Sequence, residues 1–260
     1  MAGNPIAPET IALSVVVPVR DEADNLQPLI REIHAALSGI CAYEIIYVDD
    51  GSSDGTLTRL AALKAQDPRL RVLRHRRGCG QSAALRSGVL AARGPVIATL
   101  DGDGQNNPAD IPRLLAAWQA LGAGSARGMV AGYRRKRKDT GWRRLSSRVA
   151  NGIRSFLLKD RTPDTGCGLK IFARELYLAL PYFDHMHRFL PALVLRAGGQ
   201  VVSIEVDHRP RLLGHSKYDT WRRLWAGIVD LLGVIWLQRR AQLPEVEELG
   251  GRPEYREPLP

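Results

Sequence analysis

The sequence predicts an α/β fold, a mostly parallel sheet flanked by helices, with an amphipathic helical elaboration on its C-terminal side. Two observations predict it. Between Leu13 and Tyr133, short runs rich in β-branched residues alternate with stretches whose apolar residues recur at helical spacing. Such alternation builds right-handed strand–helix–strand units, which assemble into a parallel sheet. The composition agrees: the 260 residues (28.7 kDa) are 45% apolar and 25% charged, which allows a buried core and excludes a disordered, collagen-like or coiled-coil chain.

The elements follow in order. LSVVV (13–17) is a strand, and Leu26, Leu29, Ile30, Ile33 and Leu37 give one buried face to a helix over 24–38. EIIYV (44–48), RVL (71–73), PVIATL (95–100) and MVAG (129–132) are the next strands, with helices near 55–66, 81–92 and 108–121 between them. Pro108 suits a first helical turn, where its missing N–H costs little. Beyond Tyr133 the spacing predicts a helix over 143–158, a Gly-rich turn DTGCGLK (164–170), a helix near 173–180, and a strand VVSIEV (201–206). WRRLWAGIVDLLGVIWLQRR (221–240) reads as a helix. We expect one catalytic domain over 11–212, a loop and amphipathic helix over 213–243, and a loose acidic tail over 244–260.

Lys and Arg outnumber Asp and Glu by 37 to 27, a net charge of +10, and much of the excess is local. Tyr133 to Arg161 holds 11 basic and two acidic residues, which predicts an anionic partner there. Cys41, Cys79 and Cys167 form no CxxC pair, which predicts a reducing, cytoplasmic compartment rather than a disulfide framework or zinc site. The first residues, MAGNPIAPETIA, lack the pattern of a signal peptide. Leu224 to Leu237, the longest apolar run, has 14 residues including Asp230, too few to span a bilayer.

In a parallel sheet, ligands collect beyond the carboxyl ends of the strands. Three predicted strands end there in acidic groups: VVVPVRDE with Arg20, Asp21 and Glu22, YVDDGSSDGT with Asp49 and Asp50, and TLDGDGQNNP with Asp101 and Asp103. Asp54 or Ser53 is explained by capping the next helix, a reading that suits Asp54. Asp101, Asp103 and Gln105 alternate on an extended segment and so present oxygen atoms in one direction. Hard oxygen ligands suit Mg2+ or Mn2+, which retain waters and bind substrate phosphates.

These segments, with GQSAALRSG, resemble glycosyltransferase family 2 in order and spacing over about residues 11–237. DTGCGLK, HRF and RLLGHSKY narrow the resemblance to its dolichyl-phosphate mannose synthase-like branch, which makes polyprenyl-phosphate sugars. The resemblance implies a Rossmann-like GT-A fold, a nucleotide-sugar donor (UDP- or GDP-), a divalent metal (Mg2+ or Mn2+), and inverting transfer onto a polyprenyl phosphate. It matches Pro18, Arg20 and Glu22 to the first donor-contacting loop, and Val48 and Asp50 to positions against the nucleotide base. Asp101, Asp103 and Gln105 match the metal and diphosphate motif, Arg134 a basic donor contact, and Arg211 and Lys217 the pair that neutralises the diphosphate. Arg188 and Ser216 are the acceptor-side candidates. The sequence departs from the family pattern at Arg20 and Asp21, where relatives usually carry an aromatic or small residue followed by Asn.

A phosphate acceptor is already anionic near neutral pH, so this chemistry needs no general base, whereas transfer to a sugar hydroxyl would need one. The segment after DTGCGLK offers no obvious base. Nucleic-acid binding would account for the basic stretch but would leave the three acidic strand ends unexplained. His185, His187 and His215 lack metal-ligand spacing and read as structural, as does Cys167 in its tight turn. In 221–240, Trp221, Trp225 and Trp236 with Arg pairs at both ends suit a helix in the headgroup region of a membrane. The same pattern fits a helix packed on the domain, on a separate membrane protein or in a homo-oligomer. The expectation is a peripheral enzyme on the cytoplasmic face of the inner membrane.

Overall fold

The computed structural model describes residues 10–134, 154–155, 157–160, 162–210 and 220–240. Its strands are β1 (Leu13–Val19), β2 (Tyr43–Asp49), β3 (Leu70–Arg74), β4 (Val96–Thr99), β5 (Gly128–Tyr133), β6 (Lys170–Ala173) and β7 (Gln200–Glu205). The helices are α1 (Leu26–Leu37), α2 (Thr56–Gln66), α3 (Gln81–Ala91), α4 (Ile111–Gln119), α5 (Arg174–Ala179), α6 (Leu190–Arg196) and α7 (Thr220–Arg240). The strands form one sheet in the order β3-β2-β1-β4-β6-β5-β7. Every neighbouring pair is parallel except the two made by β6.

Strand alternation divides the core in two. Val15, Val17 and Val19 of β1 pack with Leu26, Ile33 and Leu60 from α1 and α2 and Leu114 from α4. Val16 points the other way, against Leu85 and Val89 of α3 and the layer that contains Leu176, Leu190 and Leu193. Helices therefore cover both faces, which is why β1 and β2 are buried at every residue.

The structure departs from the sequence expectation in three places. Lys170–Ala173 is a strand, antiparallel between β4 and β5, where only a turn running into a helix is expected. Four residues are too few to show a period. Pro108–Asp110 forms a separate 3-10 turn, and the α-helix begins at Ile111. The Asn107 carboxamide oxygen accepts from the Ala109 N–H at 3.1 Å and caps that turn. HRFLPALVLRAGG contains α6, with Leu190, Ala192, Leu193 and Val194 buried. Most of the expected helix over 143–158 and the tail over 244–260 lie outside the described residues.

α7 packs on the domain through Val234, Leu231, Ile235 and Leu237. Asp230 holds His185 at 2.9 Å, and the Arg196 Nε donates to the Leu237 carbonyl at 3.0 Å. Its other face leaves Ile228, Val229, Leu232 and Trp236 exposed, the last three at about 60% (62%, 61% and 59%). The side chains of Trp221 and Trp225 are outside the described residues. Among the described residues no helix is long and apolar enough to cross a membrane.

At the amino ends of β1 and β2, the buried Glu44 carboxylate accepts from Ser14 Oγ (2.7 Å), the Arg93 N–H (2.7 Å) and Arg71 Nη1 (2.8 Å). Burial alone would raise its pKa, but the hydrogen bonds, that from Arg71 foremost, hold it below the usual range. A lowered carboxyl stabilises the fold above the unfolded pKa and loses that contribution as pH falls through the folded value. Glu44→Gln should therefore cost about 2 kcal/mol in urea unfolding at neutral pH, with the difference from wild type vanishing in acid.

Candidate active site

β1 has β2 on one side and β4 on the other, so the carboxyl ends of these three strands meet at the topological switch of the sheet. The DGDG turn leaves β4 there. Gly102 lets it press on β1: a Cβ at this position would lie 2.3 Å from Val19 Cγ1 and 3.1 Å from the Pro18 carbonyl oxygen. Gly104 then reverses the chain at φ +71°. The Asp103 carboxylate accepts from the Gln105 N–H at 3.1 Å, and the Gln105 carbonyl accepts from the Arg209 N–H at 3.0 Å. The backbone of Gln105 thus shapes the turn.

Asp101 sits at the centre of this arrangement. Its carboxylate accepts from Gln81 Nε2 at 2.8 Å and lies against Gly168, where a Cβ would come within 2.3 Å of it. Burial, then the neighbouring charge of Asp103, pushes its pKa up to about 6, against the pull of Lys170 and Arg134. Among the described residues no cation is ion-paired with Asp101 or Asp103. Two neighbouring carboxylates with no ion-paired cation among the described residues fit a hard divalent cation.

Lys170 and Gln81 escape notice in the sequence. β6 places Lys170 opposite Thr99 of β4 and Ala131 of β5, and its ammonium donates to the carbonyls of Thr165 and Cys167. Burial lowers its pKa, opposed by Cys167, Asp101 and Asp164. The only available signal was a lysine directly after a Gly-rich turn. Together with Asp101, Gln81, Gly168, His187 and Leu190, Lys170 lines a small cavity of about 60 Å3. His187 Nδ1 meets Ser82 Oγ at 2.8 Å, and burial keeps the ring well below the usual histidine pKa, so it is neutral at neutral pH.

The other expected residues fall into three groups. Arg134 is near Asp101, but its guanidinium is held by Asp164 through Nε (2.6 Å) and Nη2 (3.0 Å), so it is a paired cation. Burial lowers the Arg134 pKa and the Asp164 carboxylate more than restores it, for a net rise. Pro18 and Val48 are buried, Val48 within the α3-side core. The Asp50 carboxylate accepts from the N–H groups of Cys79 (2.8 Å) and Gly80 (2.8 Å) and meets His75 Nδ1 at 2.7 Å. Arg20 is exposed with its guanidinium over Gly78, and Glu22 accepts from Asn25 Nδ2 at 2.6 Å. Asp21 instead accepts from the Ser53 N–H at 2.7 Å and joins the first loop to the second. Asp54 accepts from the Thr56 N–H at 2.9 Å just ahead of α2, but the N-cap position is Gly55, and Ser53 donates to Asp21 instead of capping the helix. Arg188 is half-buried on the turn after His187. Arg211, Ser216, Lys217 and residues 135–153 of the basic stretch lie outside the described residues, while Arg154 is paired with Asp160 at 2.6 Å.

Comparison with known proteins agrees with this fold. Residues 14–180 match the model of glycosyl transferase family 2. The chain is 34% identical over 241 residues to dodecaprenyl-phosphate galacturonate synthase of Rhizobium johnstonii, covering 91% of this chain and 70% of that one. Among solved structures, mannosyl-3-phosphoglycerate synthase from Rubrobacter xylanophilus superposes with a TM-score of 0.70 at 19% identity, over 93% of this chain and 79% of that one. Glucosyl-3-phosphoglycerate synthase from Mycobacterium tuberculosis, in complex with Mn2+, UDP and phosphoglyceric acid, gives 0.65 at 19% identity, over 89% and 80%. The fold is GT-A.

A carboxyl whose pKa is raised on folding binds more protons folded than unfolded, so it lowers stability as pH rises from about 4 to about 6, and the loss persists above that. Asp101→Asn should raise the unfolding free energy by about 2–3 kcal/mol at pH 7.5 in chelator-treated protein. The gain should disappear near pH 4. Thermal melts at both pH values read the difference.

Proposed function

The chain belongs to glycosyl transferase family 2, and from that premise we propose that it transfers a sugar, with inversion, from a UDP- or GDP-sugar onto a polyprenyl phosphate such as undecaprenyl or dodecaprenyl phosphate. The observation that carries this reading is the pair Asp101 and Asp103, crowded at the end of β4 with no ion-paired cation among the described residues. The galacturonate synthase relative supports the lipid phosphate acceptor and makes a UDP-hexuronic acid the first donor to try.

In this reading Asp101 and Asp103 hold Mg2+ or Mn2+, with Gln105 as a further oxygen donor. The ion would supply Lewis-acid stabilisation of the departing diphosphate. Gln81 orients the Asp101 carboxylate, and Gly168 leaves room for it. An acceptor phosphate oxygen attacks the anomeric carbon from the face opposite the leaving group. That C–O bond forms as the bond to the β-phosphate breaks, and the electron pair leaves with the nucleoside diphosphate. Arg211 and Lys217 neutralise the charge that develops there. Asp50 contacts the base, Pro18, Arg20, Glu22 and Val48 frame the donor, and Arg188 and Ser216 face the acceptor. No proton has to be removed from the nucleophile, and the Asp164 carboxylate, bound by Arg134, is not available as a base.

Purified protein, Mn2+ or Mg2+, a polyprenyl phosphate and a panel of UDP- and GDP-sugars including UDP-galacturonic acid should give one lipid-linked sugar by mass spectrometry. Asp103→Ala and Lys217→Ala should each lower turnover on the order of 100-fold. Transfer to a sugar hydroxyl with no lipid product from any donor would sink the proposal in favour of a saccharide acceptor.

A lipid acceptor requires access to a bilayer, and the exposed Val229, Leu232 and Trp236 of α7 give this enzyme an apolar strip for the cytoplasmic leaflet. Arg239 and Arg240 at its end, and the basic stretch after Tyr133, add attraction to anionic headgroups. Leu232→Ser with Trp236→Ser should reduce binding to anionic vesicles by at least about tenfold. Unchanged vesicle binding with lost self-association would assign the strip to a homo-oligomer instead.

A further inference from the structure

The hydrogen-bond network around Asp50 has a second capacity. Asp50, His75 and Cys79 each offer one ligand atom, and the three atoms lie within 4.8 Å of one another. They bring a carboxylate oxygen, an imidazole nitrogen and a thiol sulfur, a set unlike the all-oxygen pair of Asp101 and Asp103. Asp50 is buried, His75 half-buried and Cys79 exposed, so the cluster opens to solvent on the sulfur side. We propose that Asp50, His75 and Cys79 form a second cation site, selective for a borderline-soft divalent ion such as Zn2+, with a solvent molecule in the fourth position.

Three features support it. His75 Nδ1 and Asp50 Oδ1 are 2.7 Å apart, a distance that requires a proton between them, and a cation can take the place of that proton. The other ring nitrogen, Nε2, is 2.9 Å from Ser87 Oγ, so Nε2–H can donate there and leave Nδ1 as the ligand atom. Such an outer hydrogen bond fixes the tautomer of ligating histidines in general. The second carboxylate oxygen of Asp50 is held by the Gly80 N–H at 2.8 Å, so its ligand face is already oriented. Tetrahedral zinc sets its ligand atoms roughly 3.5 Å apart, so the Asp50–His75 pair would open from 2.7 Å as the proton between them moves away. On binding, the Nδ1 proton passes to Nε2 and the thiol proton is released. Thiolate and imidazole ligands then favour Zn2+ over Mg2+ and Mn2+.

The site lies one residue from the active centre. Gly80 holds Asp50, and Gln81, next in the chain, holds Asp101. A bound cation would clamp the 75–80 loop onto the end of β2. In the reading above it would also occupy the carboxylate meant for the donor base, a consequence that rests on that reading, whereas the binding itself does not.

Cobalt(II) reads the site without any activity measurement. The full chain, kept reduced with a phosphine, should develop a thiolate-to-cobalt charge-transfer band that saturates at one equivalent and is displaced by Zn2+. Cys79→Ser, a change at an exposed position, should abolish the band. Cys41→Ser and the double variant Asp101→Asn with Asp103→Asn should retain it. Ser87→Ala should weaken Zn2+ by about tenfold, as loss of an outer-shell partner does, and His75→Gln by more. No band in the wild type, or a band that survives Cys79→Ser, would overturn the assignment. So would a Zn2+ affinity indifferent to His75→Gln.

Discussion

Much of the candidate active site follows from the cost of keeping Asp101 ionised at the end of β4. A carboxylate removed from water needs compensating charge or dipoles, and a second carboxylate two residues on raises that need. The protein answers with Lys170, which is itself buried and must be solvated by protein atoms. The turn before β6 supplies the carbonyls of Thr165 and Cys167 for that purpose. The same turn must pass so close to Asp101 that only glycine fits at position 168. Arg134, the other cation nearby, is brought in already neutralised by Asp164. Among the described residues the site therefore keeps an anionic excess near Asp101 and Asp103, which suits a divalent cation.

The two ends of the sheet use acidic residues differently. At the amino ends, Glu44 is enclosed by three donors and serves stability. At the carboxyl ends, Asp49, Asp50 and Asp21 hold loops, while Asp101 and Asp103 have fewer partners and more mutual repulsion. Asp50 belongs to both kinds of work, since its network shapes the 75–80 loop and places Gln81 against Asp101.

The parallel half of the sheet was legible in the sequence because β1, β2 and β4 are buried apolar runs between helices, and Leu26 to Leu37 showed the helical period directly. The acidic strand ends were legible for the same reason: knowing where β1, β2 and β4 stop locates Glu22, Asp50 and Asp101. The rest depends on contacts between distant segments. Nothing local marks KIFA as a strand, because the partners of Lys170 are 71 residues back at Thr99 and 39 back at Ala131. Without β6, Lys170 reads as a surface lysine. Likewise, the pairing of Arg134, an expected donor contact, with Asp164, 30 residues on, is made by the fold and not visible locally. α7 carried apolar residues around its circumference, and only the fold separates Val234, which is packed, from Trp236, which is exposed.

The insertion of β6 between β4 and β5 also orders assembly in time. The subsheet β3-β2-β1-β4 is complete once residue 99 has been made, and its helices α1 to α3 are local to it. Its open edge is β4, the strand that leads to Asp101. β5 is synthesised next but has no neighbour in that subsheet; it must wait for β6, which lies 37 residues beyond its end, to bridge the gap. Long-range pairings of this kind close late and slowly. The edge of β4 is thus the exposed, pairing-competent surface of the nascent chain, and the segment that seals it is the one that delivers Lys170 to the centre.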